Sequence, residues 1–388
     1  MPKGVIFITS FERKENRYRR RKAKRELKRL EKIKNYDSFD YVFSYSMLYN
    51  SYKRCVRGIG WKTRTQRFKI FSPLEVYRNY ESLYDGTFHR DPFFEFIIND
   101  KGRERHIKSV SLRERNVQWG LCDKSLSPIM KRTFIYDNGA TLKNKGYSFS
   151  LNRLKCHLHK YYRKFGNDGY ILLFDFSKFF DNISHVLIKN LINNTYSDSR
   201  IIKLLYHFID AYGDIGMGLG SPISQVLALA SANKLDHYMK EKLKIKYYGR
   251  YMDDGYIIHK DKKFLQKCLS DMIDICKSLH INLNKKKTKI CKLNTGFVYL
   301  KVRFYLLYSG KVLCKICKKS ITRMRRKLKI FRILVKYKKL TVDDVIESLT
   351  SWVAHAKNFY SHNSVKSMLY LFSSLFGHRK NIYKLIHA

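Results

Sequence analysis

Acidic residues are scarce in this sequence. Its 388 residues carry 32 Asp and Glu against 79 Lys and Arg, a formal charge of +47. An isolated compact chain of that charge repels itself, and a polyanionic partner is the natural relief. Long apolar runs are missing as well. Nothing approaches the roughly 20 residues of a membrane-spanning helix, and the apolar stretch from Gly4 to Phe11 is too short for a secretory leader. A soluble, cytoplasmic protein without a membrane partner is therefore expected. The eight cysteines are scattered, and only Cys314 and Cys317 make a CxxC pair. Without a second Cys/His pair they do not complete a zinc site and read as small apolar residues. No internal repeat or low-complexity linker divides the chain, and an apolar share of 44% is enough to bury a core, so disorder is not the default reading.

What the chain does have is aromatic rings, 29 Tyr and 25 Phe, interleaved with the basic residues. Coding bias toward Lys, Ile, Asn and Tyr would inflate both counts, but rings beside cations also make stacking platforms next to phosphate-binding charge. The run from Arg13 to Lys34 is basic and helical in pattern, with almost no apolar face. It is expected to lie on RNA through Arg19, Arg20, Arg21 and Lys22, the alternative being a solvated surface helix. Tyr36 to Asp100 is mixed in pattern. A basic turn (KGRERHIKS), a helix from Leu112 to Leu126 and a glycine-punctuated loop from Asp137 to Gly146 follow.

From Tyr170 the pattern sharpens. Tyr170 to Phe174 is a continuous apolar run that ends in Asp175, which reads as a buried strand with a carboxylate at its tip. Helical sequence runs on to Ile209. A glycine-dense loop follows from Gly213 to Pro222, then helical sequence from Ile223 to Leu243. Tyr247 to Met252 and Gly255 to His259 are strand-like runs flanking Asp253 and Asp254, and the Asp-Gly step suggests a tight hairpin between them. A helix is expected from Lys263 to Leu279 and a hairpin from Phe297 to Leu313 around Ser309 and Gly310. Beyond Ser320 the pattern is helical: Ile321, Met324, Leu328 and Phe331 share a face, and Thr341 with Asp344 marks a helix start.

Transfer of a nucleotide onto a 3′-hydroxyl needs charge neutralisation and in-line geometry, and two divalent ions about 3.5–4 Å apart supply both. Magnesium favours hard oxygen ligands, which calls for carboxylates on rigid neighbouring strands. Asp175, Asp253 and Asp254 suit that task if their strands pair. Taken alone, an Asp-Asp pair in a hairpin is equally well a favourable turn.

The order FDFSKFFDNISH, GLGSPISQ and YMDD resembles motifs A, B and C of the reverse transcriptase palm. KGRERHIKS and LRERNVQWGLCDKSLSPIM resemble the first fingers blocks, LNKKKT resembles motif D, and GFVYLKVRF resembles the primer-grip hairpin. The tail around SWVAHAK is similar to the thumb of short prokaryotic reverse transcriptases. The resemblance runs from about Lys101 to the C-terminus and is looser before it. It implies an α+β right-hand polymerase: a basic N-terminal extension over 1–100, fingers over 101–170, a palm with an antiparallel sheet over 171–313, and a helical thumb over 314–388. No further domain is expected after the thumb.

Residue by residue, the resemblance implies that Asp175, Asp253 and Asp254 are catalytic. With the carbonyl of Phe176 they would hold two Mg2+ ions, or Mn2+ as a substitute. Phe180 would lie under the incoming sugar and exclude a 2′-hydroxyl. Lys101, Arg103 and Arg105 would hold the triphosphate, and Lys287 would neutralise or protonate the departing pyrophosphate. Leu219, Gly220 and Gln225 would border the nascent pair. Tyr251, Leu300, Lys301, Arg323 and Arg326 would join the basic helix on the nucleic acid. Leu219 stands where retroviral and group II intron enzymes carry Gln, in a form similar to diversity-generating and defence-associated enzymes. Lower fidelity is the expectation. Gly218 in place of the usual Pro argues against a standard diversity-generating enzyme. The expected partners are a non-coding RNA template, deoxynucleoside triphosphates and the cDNA product, in bacterial antiphage defence. The alternatives are a diversity-generating enzyme with an accessory protein, an RNA-dependent RNA polymerase, which Phe180 disfavours, and an RNA-binding maturation factor, which would not need the acids.

Overall fold

The computed structural model describes residues 10–377 except 100, 101 and 103. Lys101 and Arg103 thus lie outside the described residues, as does the side chain of Lys22. The chain forms two compact units, each gathered from alternating stretches. One holds 1–135, 178–237 and 275–282; the other holds 136–177, 238–274 and 283–388.

Among the described residues, nine strands form three antiparallel sheets. In the first unit β1 (Phe94–Asn99) pairs with β2 (Glu104–Ser109). The KGRERHIKS segment, expected as a basic turn, is therefore largely strand. Its Glu104↔Asn99 to Ser109↔Phe94 register continues the alternating apolar residues of β1. The second unit carries a four-stranded sheet made of β3 (Tyr170–Asp175), β4 (Tyr248–Tyr251), β5 (Asp254–His259) and β6 (Lys289–Lys292), in the order β4-β5-β3-β6. It also carries a three-stranded sheet of β7 (Phe297–Tyr299), β8 (Val302–Leu306) and β9 (Val312–Ile316).

β3 reads as an unbroken apolar run because both of its faces are covered. Ile171 and Leu173 join Leu154, Leu158 and Tyr161 of the helix Tyr147–Phe165 in one core, which continues through Tyr256 and Ile258 to Phe297, Tyr299 and Phe304. The three-stranded sheet thus shares the core of the four-stranded one. It has a strand more than the expected hairpin, because a tight turn at Leu300 and Lys301, both at positive φ, splits the segment before the Ser309-Gly310 turn.

Three helices, Lys318–Lys336, Val342–Lys357 and His362–Phe376, close on their own apolar core of Met324, Leu328, Leu349, Val353, Met368 and Phe372. The second of them starts with a capping box: Thr341 Oγ1 accepts from Asp344 N while the Asp344 carboxylate accepts from Thr341 N. Among the described residues no helix is long and apolar enough to cross a membrane.

Candidate active site

The site is a consequence of register. β3 and β5 pair from Tyr170↔His259 to Asp175↔Asp254, so the last residue of one strand faces the first residue of the other. Directly opposed residues of an antiparallel pair have Cα atoms about 4.5–5.5 Å apart. The backbone closes the arrangement, since Phe176 N donates to Asp253 O at 3.1 Å.

The turn that presents the acids is not the Asp-Gly turn expected from the sequence. Tyr251 pairs with Asp254, leaving Met252 and Asp253 as the two turn residues, with Met252 at φ 53. Gly255 lies inside β5 and is required for a different reason. A Cβ there would run into the ring of Phe174 on β3, which itself stacks at 6.1 Å on Tyr248 of β4.

Clustered acids in a half-buried place disfavour ionisation. Burial, then the charges of Asp253 and Asp175, push the Asp254 carboxyl up to about 7, with Lys287 and Lys301 opposing. Asp175 is buried and fully engaged. Lys287 Nζ donates to Oδ2 at 2.8 Å and to Oδ1, Asn284 Nδ2 donates to Oδ2 at 3.3 Å, and Asn284 N donates to the Asp175 carbonyl at 2.8 Å. Lys287 was expected at the pyrophosphate; in this structure it sits on the first carboxylate. Among the described residues no three His, Cys, Asp or Glu side chains are already arranged to hold one ion.

Leu300 and Lys301 form the β7–β8 turn of the same unit, and Tyr147 donates its hydroxyl proton to Leu300 O at 3.1 Å. Tyr251 ends β4 half-buried, while Arg323 and Arg326 are exposed on the helix Lys318–Lys336.

The remaining candidates lie in the other unit. Phe180, half-buried, opens a short 3-10 turn (Phe180–Asn182), and its carbonyl accepts from Met217 N at 2.8 Å. Gly216, at φ 86, is pressed on this turn: a Cβ there would lie 2.8 Å from Asp181 O. Gly218 has its own reason, because the Tyr212 ring occupies the space a Cβ would need. Leu219 and Gly220 complete the loop, Gly220 at φ 107, and Gln225 is exposed on the helix Pro222–Ser231.

That helix begins on a buried polar chain. Ser221 caps it by accepting from Ser224 N, and donates its own proton to Gln118 Oε1 at 3.0 Å. Gln118 Nε2 donates to Glu114 Oε1 at 2.8 Å, which also accepts from Arg90 Nε at 2.9 Å. Arg105 is exposed on β2, and Arg19, Arg20 and Arg21 are exposed on the helix Ser10–Ile33.

Sequence reasoning missed Asn284, which lies within LNKKKT, and Arg250. The latter is an arginine in a strand and 1% exposed, a placement that a sequence pattern does not reveal.

The family described as Reverse transcriptase (RNA-dependent DNA polymerase) matches residues 101–341. Protein YkfC of Escherichia coli (strain K12) is 24% identical over 251 residues, which are 53% of this chain and 64% of that protein. The Saccharomyces cerevisiae protein named for COX1/OXI3 intron 2 is 26% identical over 179 residues, 43% of this chain and 20% of that protein. The chain therefore spans less than two thirds of either relative. Among solved structures, telomerase from Candida albicans with a fragment of telomeric RNA aligns with a TM-score of 0.45 at 11% identity, covering 77% of this chain and 64% of that one.

Proposed function

The chain belongs to the reverse transcriptase family, and from that premise we propose that it copies a structured non-coding RNA into cDNA, with Asp175, Asp253 and Asp254 as its catalytic carboxylates. The observation that carries this reading is the Asp175↔Asp254 register at one end of a buried sheet, with Asp253 in the adjoining turn. Burial and the neighbouring charges of Asp253 and Asp175 raise the Asp254 carboxyl, and a divalent cation would relieve that repulsion. The donor set fits Mg2+, or Mn2+ in its place, with Asp175, Asp253, Asp254 and the Phe176 carbonyl as its candidate holders. Bound ions would neutralise charge on the transferring phosphoryl group and lower the pKa of the primer 3′-hydroxyl.

The chain's own residues supply the rest. Asn284 and Lys287 keep the Asp175 carboxylate aligned. Lys287 is the proton donor or counter-charge for the leaving pyrophosphate, reached by turning away from Asp175. Phe180 sets the preference for deoxynucleotides, Arg105 contacts the triphosphate, and Leu219, Gly220 and Gln225 border the nascent pair. The exposed arginines of the helix Ser10–Ile33, with Tyr251, Leu300, Lys301, Arg323 and Arg326, follow the RNA through its phosphates and A-form shape more than its base edges. Antiphage defence by a bacterial enzyme of this kind is the biological role that fits the motif B form.

Primer extension with the purified chain, deoxynucleotides and Mg2+, beside the Asp253→Ala/Asp254→Ala double variant, tests the chemistry. Synthesis abolished in the variant with RNA still bound is the expected result, and unchanged synthesis would refute it. Sequencing the co-purifying nucleic acid tests the template: a single structured transcript is expected, and a chain free of RNA at moderate salt would count against it.

A further inference from the structure

We propose that Arg250, backed by Asp137, is a positioning residue that aims Asp253 and Asp254, so that the loop 137–139 is a working part of the catalytic strand pair. This rests on the polymerase reading above and assigns a role to residues outside the three acids. Arg250 is the largest fully buried side chain among the described residues. A guanidinium is costly to bury and is retained where its hydrogen bonds do something specific. Here its Nη1 donates to Met252 O at 2.9 Å. Met252 is at φ 53, a left-handed conformation that a methionine does not favour by itself. The side chain of Arg250 thus holds the first turn residue in the conformation that sets the direction of the next, Asp253. Phe176 N holds the other side of the turn through the Asp253 carbonyl.

Arg250 is itself clamped. Its N donates to Asp137 O at 3.2 Å, and its O accepts from Gly139 N at 3.0 Å. Beyond its pairing with β5, β4 is therefore also held by the 137–139 loop, through a parallel bridge between Asn138 and Arg250. The loop is pinned in turn through the Asp137 carboxylate, which accepts from Arg153 Nε at 2.6 Å and pairs with Lys240 Nζ at 2.7 Å. Arg153 Nη2 lies 3.0 Å from His157 Nε2, and His157 Nδ1 lies 3.0 Å from the Tyr256 hydroxyl of β5. A continuous run of polar contacts, through the half-buried Arg153 and the buried His157, thus joins the helix Tyr147–Phe165 to the strand pair whose ends carry the acids. Groups that hold a metal-binding residue in place through a contact of this kind affect metal affinity or turnover by about 10–100-fold, and small misplacements of a reacting group have effects of similar size.

The test is Arg250→Met, which keeps the length of the side chain and removes its donors, compared with Arg250→Met/Met252→Gly, in which glycine accepts the positive φ without help. Measurements are kcat and KM for deoxynucleotide, Mn2+ binding by electron paramagnetic resonance, melting temperature, and RNA binding. Expected for Arg250→Met are a fall in kcat of about 30-fold with KM within about threefold, and Mn2+ binding weakened about tenfold. RNA binding should be unchanged, and the added glycine should recover part of both losses. Should Arg250→Met prevent folding, Asp137→Asn, which loosens the clamp and leaves Arg250 in place, is expected to lower kcat about fivefold with the same unchanged KM. A folded Arg250→Met with full turnover and full Mn2+ affinity would overturn the proposal. So would losses that track melting temperature alone and that Met252→Gly does not relieve. Failure of the polymerase reading shows separately, as synthesis that survives Asp253→Ala/Asp254→Ala.

Discussion

Lys287 rests its ammonium on the carboxylate of Asp175, with Nζ 2.8 Å from Oδ2 and the other oxygen also within its reach. One residue so placed competes for the group that a divalent cation needs, yet stands close enough to the reaction to deliver a proton.

Lys287→Ala should therefore act in two directions. Mn2+ binding is expected to tighten by about fivefold, since the buried Asp175 carboxylate loses the half-exposed ammonium that competes for it, while kcat falls about 100-fold through loss of the proton donor. Resonance titration and single-turnover extension read the two effects separately. Weaker Mn2+ binding would rule out the competition, and unchanged turnover would rule out the proton donation.

Phe180 opens the 3-10 turn braced by Gly216 and Met217, so its backbone has little freedom to retreat. Phe180→Val should open space for a 2′-hydroxyl and lower the preference for deoxynucleotides over ribonucleotides by about 100-fold in kcat/KM, with little change for deoxynucleotides. Equal discrimination in the variant would mean that another group excludes the ribose.

Gly255→Ala places a methyl group against the Phe174 ring. Overpacking of this kind costs about 1–3 kcal/mol, and the strain falls on the strand pair that carries Asp175 and Asp254. A lower melting temperature and reduced extension are expected, both partly restored by Phe174→Leu. A melting temperature equal to that of the parent chain would show that the ring has room to move.

Acid should weaken the second unit in two stages. Burial is the main cause that holds His157 down to about 4, with Asp137 opposing and Arg153 and Lys240 adding to it. Between about 6.5 and 4 the unfolded chain binds a proton at this position and the folded chain does not, so stability falls as pH drops through that window. Asp137 follows at lower pH. Burial raises it, but Lys240, His157 and Arg153 together leave it below the ordinary carboxylate value, so its contribution is lost only as pH falls under about 4. Melting curves of the parent and His157→Gln from pH 8 to 4 should differ in slope below 6.5. Parallel curves would exclude His157 as the cause.

The order of the motifs, the buried strand ending in Asp175, the paired acids between two short strands and the capped helix at Thr341 were all legible along the chain, because each depends on residues within about one element of one another. The family match over 101–341 spans the segments in which those motifs lie. Contacts between distant segments were not legible. The two strand-like runs put the turn at Asp253 and Asp254, whereas the Tyr251↔Asp254 pair places it one residue earlier, at Met252 and Asp253. Local turn propensity yields to register when both strands are held by other partners. Gly218 and Gly255 look like loop and turn glycines but answer to the rings of Tyr212 and Phe174.

The sequence by itself determined which acids this protein has, their order, and the basic and aromatic surroundings that suit a polyanion. Only the tertiary structure decided that Asp175 faces Asp254, that Lys287 closes on Asp175 across 112 positions, and that Arg250 bears on Met252 beneath a loop that starts at Asp137. Periodicity reports the face on which a residue lies, whereas the partner it meets is set by strand register and loop closure, which leave no local trace in the chain.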